Sequence, residues 1–538
     1  MYLPQGISQY NQSRADARRA RWDPVSDRSN FYIATGQYVR RVLFEGGCAS
    51  ANKTSVRAIG VEVSAGRNGK VWTAAASREV ILAAGALRTP GLLELSGIGA
   101  DHILAEAGIK SRISLPGVGE NLQDHMLMHM SQGFNNESYV YPNIMQNKTI
   151  NDWARSLYYK NRTGPFTFGP PDGNAFLSLP QISTRAQEIA QIASAYSTAD
   201  YLADGLDETI IRGYARQREL LIPALEDNSR AVIEFLQDNG GNTQISNQRP
   251  LTRGSVHING SNPADYPILD FRYGSNPTDM AVMMESLRFN DKLFQQPEIQ
   301  ILQPVQNDPP HDATDAQLME FLNRALGTEY HPSGTAAMMP REHGGVVDSK
   351  LLVYGTDNLR VVDSSLFPLI PSAHLEAVVY GVAEKAADLI KRANTNIKIP
   401  HLPLNQAQCL IAPTISLKTK RADNIASYGV SNDLIGLVGG YPAVGYPNYN
   451  PSSTKGFDLS ADDRPASVGL PRGGALEWAD AVIQGILTDV ILGPIGDLLG
   501  DVVGQLMNET GGILSEYTRD TTDSVATEDE KDGRHFVA

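Results

Sequence analysis

The spacing of hydrophobic and polar positions changes period several times along the chain, and each change marks an element. Residues 38–76 contain three short runs, YVRRVLF, VRAIGVEVS and KVWTAAA, which predict a three-stranded meander. Arg67, Asn68 and Gly69 join the last two runs, and Asn-Gly accepts the positive φ angles of a tight hairpin turn. REVILAAGA follows, a continuous apolar run ending in small residues. It predicts a strand buried on both faces, as in a parallel sheet. Thr89-Pro90 opens a short helix ending at Gly97, and a second helix runs from Asp101, its cap, to Gly108. LPGVGENLQDH at 115–125 is Gly-rich and reads as a loop.

Between 126 and 260 the pattern is mixed. Helices are predicted over 182–205 and 206–222, with strands near 230–236 and 255–259. Asn276-Pro277 starts a helix through Phe294, with Met280, Met283, Met284 and Leu287 on one side. Thr314 and Gln317 have capping-box spacing ahead of a helix that stops at Gly327. LRVVD at 359–363 is a short buried strand ending in an acid, and Leu375 to Arg392 is a helix. Val378, Val379, Val382, Ala386 and Ile390 form its apolar stripe. After about residue 395 sustained periodicity is lost. Residues 396–474 read as linker or irregular surface, 475–507 as amphipathic helices broken at Gly493-Pro494, and the tail from Ser515 as disordered.

Composition narrows the class. At 538 residues the chain is too long for one core, and 41% hydrophobic with 20% charged residues is ordinary for a globular protein. A net charge of −14 argues against nonspecific binding to nucleic acid or to an anionic membrane. Two cysteines, Cys48 and Cys409, supply neither a disulfide framework nor a Cys-rich metal centre, and no metal is expected. The first residues show no signal-peptide pattern. Asp480, Asp489, Asp497 and Asp501 interrupt the longest apolar stretch, so it is a poor membrane span. Seven Asn-x-Ser/Thr sequons permit secretion without establishing it, and the compartment stays open.

Three residues invite chemistry. His331 precedes Pro332, which favours extended backbone, and small residues follow it in HPSGTAAMMP. That suits a ring facing a cavity; a surface-loop histidine fits the spacing as well. His374 lies just before a helix whose N-terminus would stabilise an anion, or it merely sits there. Asp363 ends a buried strand, where open α/β sheets bind ligands, although a capping acid reads the same way.

GALRTPGLLELSGIG at 85–99 resembles the second signature of the glucose–methanol–choline (GMC) family of flavin oxidoreductases, with every required position filled. LPGVGENLQDH resembles the segment that follows it in the family. HPSGTAAMMP and GVVDSKLLVYGTDNLRVVDSSLFPLIPSAHLEAVVYGVAEKAADLI resemble the C-terminal flavin-side block. The resemblance runs from about Ser13 to about Arg392. It implies a mixed α/β fold: an incomplete Rossmann-like FAD-binding domain plus an antiparallel-sheet substrate domain. The segments would be 1–125 (FAD side), 126–330 (substrate side), 331–395 (a return to the FAD side) and 396–538 (an extension). It implies FAD as cofactor, with His331 as the base that accepts the hydroxyl proton and His374 as its partner. Val39, Ala84, Gly85, Asp363 and Leu375 match positions around the cofactor. The implied reaction oxidises a small-molecule alcohol, with oxygen or a quinone as electron acceptor.

The family's opening strand, GxGxxG loop and helix, which cradle the pyrophosphate, are not in this sequence. GIGADH and GVGENL lack the third glycine. The expectation is therefore a truncated form that binds FAD poorly by itself. The alternative is a non-catalytic remnant or scaffold that no longer binds FAD. A hydrolase is disfavoured, because there is no GxSxG elbow.

Overall fold

A computed structural model describes residues 12–46, 55–67, 69–131, 133–136, 147–167, 173–237, 241–305 and 308–394. The chain divides into two compact units, Met1–Ala412 with Ile486–Ala538, and Pro413–Gly485; all described residues belong to the first. Asn68 of the expected hairpin turn, and the linker, helices and tail expected beyond 395, lie outside the described residues.

The meander forms as expected. Gln37–Phe44, Ala58–Ala65 and Val71–Ala75 pair antiparallel in sequence order. Val42, Phe44, Val61, Val63 and Ala74 turn into a first hydrophobic core. Val80–Leu82 pairs parallel with Leu359–Val361, and all six residues are buried. Burial on both faces is what the unbroken apolar run VIL requires, and Arg360 in the partner strand is buried in an ion pair with Glu79. Helix Thr89–Leu95 packs Leu92 and Leu93 onto this core, and helix Leu375–Asn394 adds Val378 and Ala386. Helix Asp101–Glu106 corrects one reading: its N-cap is Ala100, and Asp101 stands in the first turn. The Asp101 carboxylate accepts from Ser114 Oγ at 2.7 Å instead of capping the backbone.

The second sheet is antiparallel with five strands, in the order Gly327–Thr328, Met126–Ser131, Asn242–Asn247, Ile233–Gln237 and Gly173–Leu177. One face carries Met128, Met130, Ile233, Phe235 and Ile245 into a second hydrophobic core. Alternation then places Asn174, Phe176, Glu234 and Ser246 on the other face. That polar face carries the candidate site.

Helix Pro277–Phe294 covers the apolar face, with Met280, Met283 and Leu287 buried and Met284 partly so. The Thr314/Gln317 capping box forms, but its helix ends at Ala325, and Gly327 begins a strand. The helix expected over 182–205 is split into Leu179–Ile182 and Ala186–Ala195. Ser183 Oγ donates to Glu285 at 2.6 Å and accepts from the Arg185 N–H at 3.0 Å. A side chain that takes a backbone N–H competes with the helix ladder. The next helix is Glu208–Ala224, capped by Asp207. Among the described residues no helix is long and apolar enough to cross a membrane.

Candidate active site

Backbone pairing between residues 123–127 and 327–333 builds half of the site. Gly327 and Thr328 pair with Leu127 and Met126, and the Glu329 N–H donates to the His125 carbonyl at 3.1 Å. The Ser333 and Gln123 N–H groups exchange bonds with each other's carbonyls at 2.8 and 3.0 Å. This register sets His125 opposite Glu329 and His331. Tyr330, between them, has φ +62 and points outward, 62% exposed, so its two neighbours turn inward. Gly334 follows because the chains approach closely: a Cβ there would lie 2.5 Å from the Asn121 carbonyl oxygen.

His125 is buried, and its Nδ1 lies 3.0 Å from His331 Nδ1. Glu329 Oε2 is 3.4 Å from the first nitrogen and 3.7 Å from the second. The same oxygen accepts from Ser246 Oγ and from Gln248 Nε2 at 3.3 Å. The His331 N–H donates to Asp124 Oδ1 at 3.0 Å, and Asp124 Oδ2 accepts from Tyr273 Oη at 2.6 Å and from Thr328 Oγ1. These bonds fix the backbone under the His331 ring. Its Nε2 makes no hydrogen bond among the described residues, and its side chain keeps 17% exposure. The ring can therefore receive a proton from a ligand.

The other half comes from the polar sheet face. His374 Nε2 lies 2.8 Å from Glu234 Oε1 and 3.3 Å from Asn174 Nδ2. Asn174 donates to the same Glu234 oxygen at 2.8 Å, and Gln248 donates to the other at 3.0 Å. Gln248 thus bridges Glu234 and Glu329. The His331 and His374 ring centres are 6.0 Å apart, so the predicted pair does converge. The donor atoms of His125, Glu329 and His331 lie within 4.8 Å of one another, as do those of Glu234, Glu329 and His374. Hydrogen bonding accounts for that closeness, and no ligand role is assigned.

Charge in the cluster follows from burial and contact. Burial pushes the Glu234 carboxyl up, and the His374 hydrogen bond only partly offsets it. That hydrogen bond raises His374 above the usual histidine range, so the pair retains a proton. Burial also penalises charge on Glu329, but the two imidazoles beside it, His125 and His331, outweigh it and hold this carboxyl well below the usual range. Burial lowers His125, which is neutral at physiological pH. Burial pushes Asp124 up to about 6 against its three donors.

The expected cofactor positions cluster at the carboxyl ends of the parallel strand pair. Ala84 and Gly85 follow Val80–Leu82, and Asp363 follows Leu359–Val361. Asp363 Oδ2 accepts from the Gly85 N–H at 2.9 Å and from Thr89 Oγ1 at 2.6 Å, and Oδ1 accepts from the Ser365 N–H at 2.8 Å. The carboxylate therefore clamps two strand ends together. Gly85 has φ +80, and a Cβ there would meet nothing within 4 Å, so space lies open beside the strand end. Strand ends with open space above them fit a dinucleotide. Leu375 is buried in the first turn of its 20-residue helix, where backbone N–H groups lack helical partners. Val39 lies in the first meander strand and packs partly buried on the first core.

Sequence reasoning missed His125, Glu234 and Glu329. Glu234 left a signal, one acid inside the apolar run VIEFL. Glu329 lies two positions before His331, and His125 closes the quoted loop segment, but neither carried a sign of its partner.

Two models of the family described as GMC oxidoreductase match the chain, at residues 4–127 and 250–383. Over 397 residues the chain is 36% identical to dehydrogenase xptC of Emericella nidulans, covering 72% of this chain and 62% of that protein. It is 34% identical to the GMC oxidoreductase family protein Mala s 12 of Malassezia sympodialis, covering 71% and 60%. The chain thus spans about 60% of the length of these curated relatives. An FAD-dependent oxidoreductase from Chaetomium thermophilum superposes with a TM-score of 0.68 at 34% identity, covering 72% of this chain and 66% of that one. A fungal aryl-alcohol oxidase gives 0.66 at 31%, covering 71% and 65%. The fold and sheet arrangement are those of an FAD-dependent oxidoreductase. The chain belongs to the GMC oxidoreductase family, whose cofactor is FAD.

Proposed function

We propose that this chain carries the proton-handling end of a site that oxidises an alcohol with FAD. The observation that carries the reading is the convergence of His331 and His374, 6.0 Å apart, with a free Nε2 on His331. An alcohol gives up hydride readily only when its oxygen loses its proton. A neutral imidazole takes that proton near physiological pH, an effect worth roughly 10²–10⁴-fold. His331 Nε2 accepts it, and His374, held by Glu234, orients the hydroxyl and stays charged. Hydride acceptance is the chemistry that FAD supplies when bound. Ala84, Gly85 and the backbone at Leu375 would hold it, Asp363 would shape the strand ends beneath it, and Val39 would face its adenine. The substrate is a small-molecule alcohol, and the final electron acceptor is oxygen or a quinone.

The pyrophosphate contacts come, in this reading, from a GxGxxG segment that the present sequence lacks. A direct test measures flavin absorbance after FAD is added to the chain alone, and to the chain fused behind the strand–GxGxxG–helix segment of a GMC relative. The reading predicts weak binding by the chain alone, and flavin retention with alcohol oxidation by the fusion. Flavin in neither form would sink it and leave the scaffold alternative.

A further inference from the structure

We propose that Glu329 and His125 are positioning residues that keep a proton on His331 Nδ1, leaving Nε2 bare for the hydroxyl proton; this rests on reading His331 as the base. Two imidazole nitrogens 3.0 Å apart share one proton, because two lone pairs or two N–H groups would repel at that distance. Either ring can own it. If His125 does, neutral His331 carries its proton on Nε2 and cannot accept another there. If His331 does, Nε2 presents a lone pair outward.

Proton uptake fixes the choice. Once the hydroxyl proton reaches Nε2, the ring is an imidazolium, and its Nδ1–H has to be donated. His125 Nδ1 stands at 3.0 Å, burial favours the neutral ring, and a neutral His125 accepts at Nδ1 when its own proton is on Nε2. Glu329 Oε2, 3.7 Å from His331 Nδ1, supplies the opposite charge. Ser246 and Gln248 hold the carboxylate in place, and its side chain is only 8% exposed, so water screens it little. His125 Nε2, which carries that ring's proton in this arrangement, is buried with no hydrogen-bond partner among the described residues, and its Nδ1 faces the His331–Glu329 corner. A carboxylate acting through an imidazole to set tautomer and charge is an established device in hydrolases. Here it is assembled from a different residue order, with a second imidazole in the contact.

Nitrogen-15 histidine NMR of the unsubstituted full chain above pH 8 reads the tautomer without relying on activity. The expected result is Nδ1–H on His331; Nε2–H would overturn the proposal. In Glu329→Gln, Nε2–H on His331 should gain population. An unchanged tautomer in that variant would also overturn it. In an FAD-loaded form the same variant should lose roughly 10²-fold in kcat/KM, with partial recovery in Glu329→Asp. A fully active His331→Ala would refute the base reading alone, because the tautomer assignment is read separately.

Discussion

Two histidine–carboxylate clusters in this molecule use the same residue types to opposite ends. His257 sits between two acids, its Nδ1 2.7 Å from Glu94 Oε1 and its Nε2 3.2 Å from Glu120 Oε1. Both ring nitrogens are engaged, which requires both to carry protons. Burial opposes that charge, but the hydrogen bonds to Glu120 and Glu94 outweigh it and push His257 up to about 10. The result is a fixed cation that pins helix Thr89–Leu95 and the 115–125 loop to strand Ser255–His257. Among the described residues His331 has one nitrogen engaged and one without a hydrogen bond. The lesson is that the count of free ring nitrogens, more than the presence of acids, separates the imidazolium at His257 from the proton carrier proposed at His331.

The largest effect that would sharpen this contrast is on stability. His257→Gln removes the cation beside Glu94, whose side chain has no exposure, and should cost roughly 3–5 kcal/mol in chemical denaturation. Alcohol turnover per folded molecule should be unchanged; a loss of turnover without a loss of stability would break the comparison. The pH dependence follows with a definite sign. His257 is raised in the folded state, so its stabilisation is fully present below the ordinary histidine value of about 6.5. It is lost as pH rises through about 10. Melting temperature between pH 6.5 and 10.5 should therefore fall faster in the unsubstituted chain than in His257→Gln, and parallel curves would contradict the assignment.

Glu234→Gln should have a smaller effect, visible as a pH shift. Glu234 raises His374, so the variant's His374 should lose its proton at lower pH, measurable by the same NMR titration. Smallest is Glu120→Gln, which leaves Glu94 in place; roughly 1 kcal/mol or less is expected for this more exposed acid. A cost equal to that of His257→Gln would show that the two acids are not ranked by burial.

Much of the scaffold was legible because local pattern and tertiary role agree. The alternating runs became the meander, and the apolar run VIL with the strand LRV became the doubly buried parallel pair. His331 and His374 were legible only through the motifs around them. Their partners were not, for a physical reason. Glu329 meets His125 through backbone pairing across about two hundred positions, and Glu234 reaches His374 from a sheet strand. Such contacts are set by register, to which a local pattern is blind. The break at Ser183 has the same origin, a side chain drawn to the distant Glu285. Asp363 reads as a cofactor acid from its place at a strand end, and the sequence did not show that its carboxylate also accepts from Gly85, Thr89 and Ser365.

The central claim is that His331 takes the hydroxyl proton, and its most direct test is anaerobic. The FAD-loaded fusion with the strand–GxGxxG–helix segment is mixed with a primary alcohol, and the bleaching of the oxidised flavin band is followed with His331 intact and in His331→Ala. The account predicts rapid bleaching in the first and a rate lower by roughly 10²–10⁴-fold in the second, with flavin still bound. Equal bleaching rates in the two proteins would contradict it.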